Sequence, residues 1–211
     1  MKTILILAAN PQGTTRLRLD REVREVDNGL RRSSYHKQFR LEQRWAPRPR
    51  DVQRALLDVE PQIVHFCGHG EGQAGLVLED AAGHVKLVSS EALSSLFELF
   101  AEQVECVLLN ACYAEVQADA IVQHVNYVIG MRQAIRDDFA IAFAVGFYKE
   151  LGTGRSIEAA FQSGCDAIQT SIFASSMSSR KLILLETANN ERKISSKDDL
   201  IPVLKRKVAP R

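Results

Sequence analysis

The sequence predicts an α/β domain built on a mostly parallel sheet, and three observations carry that expectation. Short β-rich runs alternate with segments of helical periodicity along most of the 211 residues. Several of those runs are apolar without alternation, as strands covered on both faces must be. With 45% hydrophobic residues, a chain of this length buries one sizeable core and leaves little room for a second.

In chain order, strands are expected at 3–9 (TILILAA), 38–44 (QFRLEQR), 62–67 (QIVHFC), 104–110 (VECVLLN), 126–131 (NYVIGM) and 181–185 (KLILL). Between them, Leu19, Val23, Val26 and Leu30 recur at helical spacing, as do Val52, Ala55, Leu56 and Val59. Residues 75–88 read as a β-hairpin, because two alternating runs flank an Asp-Ala-Ala-Gly turn. A helix follows at about 89–101, capped by Ser89 or Ser90, with Leu93, Leu96, Phe97 and Phe100 inward. A helix over 137–151 presents Ala140, Phe143, Ala144, Phe147 and Leu151; Gly152-Thr-Gly154 stops it, and Ser156 opens another carrying Ile157, Phe161, Ile168 and Ile172. After Leu185 the composition turns polar and basic, so residues 1–185 read as the domain and 186–211 as a loose tail or a link to a partner.

Charge excludes some functions. Lys and Arg total 27 against 26 Asp and Glu, so no global field favours nucleic acid or an anionic membrane. Arg44, Arg48, Arg50 and Arg54 cluster near two prolines, as a solvated loop face does. The four cysteines have no C-x-x-C spacing, which points to a reducing, cytoplasmic setting rather than a disulfide framework. The longest apolar stretch, 139–145, is far below the roughly 18 residues of a membrane span.

In open parallel sheets the ligand crevice lies at the carboxyl ends of the strands. Two such ends carry reactive residues: strand 62–67 delivers Gly68-His69-Gly70, and strand 104–110 delivers Ala111-Cys112-Tyr113. A thiolate needs a base or cation beside it to lower its pKa from about 8.5, and a histidine from a neighbouring strand end can supply that. Glycines beside His69 let the backbone turn sharply and leave an N–H free to face a developing oxyanion.

The runs "VHFCGHG", "VLLNACYAEVQADAIV" and "YVIGMRQAIRDDFAIAFAVGFYKELGTGRSIEAAF" resemble the CHAT domain, a caspase-like protease domain of bacteria often linked to tetratricopeptide repeats. The resemblance covers most of residues 1–185 and implies a caspase-like α/β/α sandwich with a mostly parallel six-stranded sheet and a β-hairpin insertion. It implies a cysteine endopeptidase in which His69 and Cys112 form the catalytic dyad, with the backbone N–H groups of Gly70 and Cys112 holding the oxyanion. His69 precedes Cys112 by 43 residues, against about 50 in caspase signatures. Asn110-Ala111-Cys112-Tyr113 departs from the caspase Q-A-C-x-G, so the caspase preference for acidic residues does not carry over. Family members are commonly gated by a regulatory protein partner or attached domain, often in bacterial defence or cell-death pathways.

The loop "ANPQGTTRLRL" lacks the P-loop lysine and the G-x-G-x-x-G spacing, and reads as a βα turn capped by Thr14 or Thr15. By location, Arg16 or Arg18 could meet an acidic substrate side chain, whereas Asp137 and Asp138 could line a pocket for a basic one. His65, Cys67 and His69 alternate along a strand, and a zinc site completed by Cys112 is conceivable, but such positions converge poorly on one ion. No metal or other cofactor is expected. Cys67 reads as packed under the dyad and His65 as a core or supporting residue. The competing readings are a non-catalytic caspase-fold interaction or sensor module, disfavoured by the intact His69-Gly70 and Ala111-Cys112 pairs, and a nucleotide-binding sensor, disfavoured by the missing phosphate signature.

Overall fold

The computed structural model describes residues 1–183 and 201–208, with the side chains of 175–183 excepted. Strands β1 (Lys2–Ala8), β2 (Phe39–Trp45), β3 (Ile63–Cys67), β6 (Cys106–Asn110), β7 (Tyr127–Met131) and β8 (Pro202–Arg206) form one sheet in the order β2-β1-β3-β6-β7-β8. The first five run parallel, and β8 closes one edge antiparallel to β7.

The apolar runs are continuous because each strand feeds two cores. Leu5, Leu7, Val64, Phe66, Val107 and Leu109 face α2 (Pro49–Val59), α3 (Ser90–Leu99) and α4 (Glu115–Ile121). The alternate residues Ile4, Ile6, Ile63, Cys67, Cys106 and Leu108 face α1 (Leu19–Arg31), α5 (Asp137–Leu151) and α6 (Ile157–Ile183). Each fully buried Leu or Ile stabilises the fold by about 1.5–3 kcal/mol before entropy is counted. The hairpin is present as β4 (Leu76–Glu79) and β5 (Val85–Val88), turned by Gly83 at φ +81°. Ser89 caps α3 by accepting from the Ala92 N–H at 3.3 Å.

Three sequence expectations are corrected. Residues 181–183 of the strand expected at 181–185 continue helix α6, while 184 and 185 lie outside the described residues; a short apolar run reads equally as strand or buried helix. The sixth strand is instead Pro202–Arg206, inside the segment read as a loose tail; the rest of that segment, apart from 201, 207 and 208, lies outside the described residues. Pro202 and Val203 are buried there, and Lys205 reaches Glu115 and Asp119 at 2.9 Å each, so pairing with β7 orders a stretch whose composition alone looks solvated. Proline at the first position of an edge strand forfeits no ladder bond the sheet needs. Third, α1 begins at Leu19, so neither Thr14 nor Thr15 caps it; Thr14 Oγ1 instead donates to the Pro11 carbonyl at 2.7 Å. Among the described residues no helix is long and apolar enough to cross a membrane.

Candidate active site

From β1 the chain goes to β2 on one side and then to β3 on the other, so the strand order reverses around β1. A crevice opens at the carboxyl ends of strands flanking such a reversal. Asn10 follows β1 there, and His69 follows β3. Nε2 of His69 donates to Oδ1 of Asn10 at 3.2 Å, which leaves Nδ1 as the ring nitrogen with a lone pair.

Cys67 of β3 pairs with Asn110 of β6, so His69 and Cys112 each lie two residues past the same rung of the sheet. The glycines around His69 are set by backbone contact. A Cβ on Gly68 would stand 2.7 Å from the Ala9 carbonyl oxygen. One on Gly70 would overlap the Cys112 carbonyl oxygen and press on Cys112 C and Ala111 Cβ at 3.3 Å. The His69-Gly70 turn therefore rests directly on the backbone of Cys112.

Gly70 also faces Leu76 across an antiparallel bridge. The flanking bonds, Val77 N–H to the His69 carbonyl at 3.1 Å and Glu71 N–H to the Gly75 carbonyl at 2.9 Å, put Gly70 at the non-hydrogen-bonded position. Its own N–H points away from Leu76 as a result. Among the described residues neither that N–H nor the Cys112 N–H has an acceptor.

Cys112 lies in a strand–turn–helix junction between β6 and α4. The next residue, Tyr113, holds φ +54°, a left-handed conformation costing a non-glycine residue roughly 1–2 kcal/mol. Burial of Ala111 and Ala114 on either side and a 3.4 Å bond from Tyr113 N–H to the Gln133 carbonyl hold the turn in place. Sγ of Cys112 lies 3.8 Å from the Ile135 carbonyl oxygen, in the β7–α5 connection. Cys112 is half-buried, whereas Cys67, Cys106 and Cys165 are buried. Burial raises those three thiols, with Glu22 adding to the rise at Cys67; Cys165 is pushed up to about 12. Cys112 is thus the one thiol open to an incoming carbonyl.

The charged candidates have partners of their own. Arg18 donates from Nε to Asp137 at 2.7 Å, and Arg136 grips Asp138 through two bonds of 2.8 and 3.0 Å while lying over the Phe139 ring. Burial is the largest single influence on the Asp138 pKa and raises it, but the Arg136 hydrogen bond, the Arg136 charge and backbone hydrogen bonds together make the net shift downward. Arg16 is exposed. The conceivable zinc set does not assemble: His65 and Cys67 gather with Glu22 of α1, while His69 turns to Asn10. Glu22 is 3% exposed, lies 3.1 Å from His65 Nε2, and accepts from the Asn110 side chain at 2.6 Å; Asn110 also donates to the Ala140 carbonyl at 3.0 Å. Sequence reading missed Glu22, Asn110 and Asn10 as parts of this region. A signal existed for the first: Glu22 falls on the same helical stripe as Leu19, Val23 and Val26.

Comparison with known proteins identifies the family and the fold. A family model described as CHAT domain matches residues 4–171. A "Roc-COR-CHAT protease" from an unknown prokaryotic organism is 25% identical over 125 residues, 56% of this chain and 12% of the relative. A "Probable protease" of Gillisia limnaea is 22% identical over 156 residues, 73% of this chain and 28% of the relative. The chain thus spans under a third of the length of either relative. A secreted C11 cysteine protease from Bacteroides thetaiotaomicron, solved with an irreversible peptide inhibitor, superposes with a TM-score of 0.65 at 13% identity over 98% of this chain and 66% of that one. At that identity the likeness concerns the fold.

Proposed function

Since the chain belongs to the CHAT domain family, we propose that it is a cysteine endopeptidase acting on protein substrates, with Cys112 as nucleophile and His69 as general acid–base. The observation that carries this reading is the seating of the His69-Gly70 turn on the Cys112 backbone, where only glycine fits. Relatives named as proteases support it.

The His69 bond to Asn10 leaves Nδ1 to take the Cys112 proton. Sγ then attacks the scissile carbonyl carbon, and the electron pair of the C=O bond moves onto oxygen. The N–H groups of Gly70 and Cys112, which have no acceptor among the described residues, would receive that oxyanion; each such donor is worth about 2.7–4 kcal/mol in the transition state. The C–N bond breaks as His69 returns the proton to the leaving amine, giving a thioester. Water, deprotonated by the same imidazole, hydrolyses it and restores the thiol. No third catalytic side chain is needed; Asn10 orients the ring.

Substrate preference falls to the rim. Arg16 is exposed and would meet an acidic side chain, whereas Asp137 and Asp138 are already engaged by Arg18 and Arg136, so a basic substrate residue would have to compete with them. The family resemblance supports gating by a regulatory protein partner in a bacterial defence or cell-death pathway. Four cysteines without a disulfide support a cytoplasmic setting.

A peptide library varied at the residue before the scissile bond, tested with wild type, Cys112→Ala and His69→Ala, examines activity and preference together. Cleavage by wild type alone is expected, with low basal rate in the absence of a partner. Equal turnover by Cys112→Ala rejects the mechanism, and indifference to charge at the varied residue rejects the rim assignments.

A further inference from the structure

Between the sheet and the α1/α5 layer, beneath the strand ends that lead to His69 and Cys112, lies a cluster that the peptidase mechanism does not use. Glu22, His65 and Cys67 are 3%, 0% and 0% exposed, and their ligand atoms all lie within 4.8 Å of one another. From these residues we infer a structural site for one zinc-class divalent cation, held by a Glu22 carboxylate oxygen, His65 Nε2 and Cys67 Sγ. The inference does not depend on the proposed peptidase activity.

Three features point to a cation rather than to a buried ion pair. First, His65 Nε2 is 3.1 Å from Glu22, yet the pair is not aligned for N–H donation, and both ring nitrogens of this fully buried histidine have no hydrogen-bond partner among the described residues. A fully buried imidazole thus leaves two unmet polar atoms, which costs free energy. A metal on Nε2 removes one of them. Second, the Tyr148 hydroxyl is also buried without a partner, and its ring stacks on His65 at a centroid distance of 5.5 Å. Tyr148 thus brings a neutral, unpartnered oxygen-bearing side chain against the His65 ring. Third, the charges balance: one carboxylate and one thiolate neutralise a divalent ion, which a buried site requires.

The donor types select the ion. Imidazole with thiolate and carboxylate suits zinc-class borderline ions better than magnesium or calcium, which take oxygen. Around zinc, ligand atoms stand about 3.3–3.8 Å apart, so the widest separation here closes by roughly 1 Å on binding. Binding displaces the Cys67 proton to solvent as the Zn–S bond forms. Because the cluster is enclosed, the ion enters as the chain folds.

The test uses the full chain carrying Cys112→Ala, so that the cleft thiol cannot contribute. It is unfolded with chelator, refolded with Zn²⁺ or Co²⁺, dialysed, and its metal measured by mass spectrometry. About one equivalent per chain is expected, with a thiolate-to-cobalt charge-transfer band in the Co²⁺ form that Cys67→Ser abolishes. Should Cys67→Ser not fold, Glu22→Gln serves as the second variant, with retained metal reduced at least about tenfold. Less than about a tenth of an equivalent in the refolded parent, or a charge-transfer band that survives Cys67→Ser, overturns the assignment.

Discussion

Replacing Gly70 by alanine is the sharpest perturbation of the cleft. The added methyl would lie against the Cys112 carbonyl oxygen, with Cys112 C and Ala111 Cβ at 3.3 Å behind it. Carbon–oxygen contacts normally sit at about 3.3–3.6 Å, so roughly 1 Å of relief is needed, and a backbone carbonyl cannot swing aside as a flexible side chain would. The strain falls on the strand ends carrying His69 and Cys112, and overpacking of this size costs about 1–3 kcal/mol of stability. A displacement of about 1 Å at a reacting centre costs roughly 100-fold in rate. Misaiming one oxyanion donor costs about 100- to 1,000-fold. Steady-state kinetics on the best library peptide should therefore show kcat down by at least about 100-fold with KM changed far less, since the N–H group engages the transition state more than the substrate. A Gly70→Ala enzyme within about tenfold of wild-type kcat would refute the reasoning, because it would mean that the turn does not set the position of the donor.

Further expectations follow from single contacts. Asn110→Ala removes the 2.6 Å donor to buried Glu22, and should lower unfolding free energy by about 1–3 kcal/mol in urea titration. Tyr113→Gly relieves a left-handed residue, so the melting temperature should hold or rise, corresponding to at most about 1 kcal/mol of stabilisation. Arg48 lowers the Asp51 pKa from its ordinary 3.8 to about 2, through a side-chain hydrogen bond first and a backbone one second. That contribution is present above the unfolded pKa and is lost as pH falls through the folded one. Asp51→Asn should thus cost under about 1 kcal/mol at pH 7, the pair being largely exposed, with the difference from wild type shrinking as pH falls toward about 2 and gone only below it.

Legibility of the fold in the sequence tracked how local the physics is. Strands such as Ile63–Cys67 and Cys106–Asn110 announce themselves because both faces are covered, and the hairpin because Gly83 makes its turn. His69 and Cys112 could be located in advance for the same reason: each follows a strand whose end is clear. Helix α4 escaped notice because it has only seven residues and packs mainly through Ala118 and Ile121. Pro202–Arg206 became a strand only through its register with Tyr127–Met131, which no composition reveals. Partners distant in the chain stayed hidden too. Nothing local to His69 names Asn10, 59 residues away, and nothing local to Asn110 names Glu22, 88 away.

The dyad itself is tested most directly by timing the reaction of the native chain with a peptidyl electrophile and mapping the adduct by mass spectrometry. The account predicts one adduct, on Cys112, with Cys67, Cys106 and Cys165 untouched behind their buried faces, and a rate that drops at least about tenfold in His69→Ala. Modification of Cys112 at an unchanged rate without the imidazole, or no modification of Cys112 at all, would contradict it.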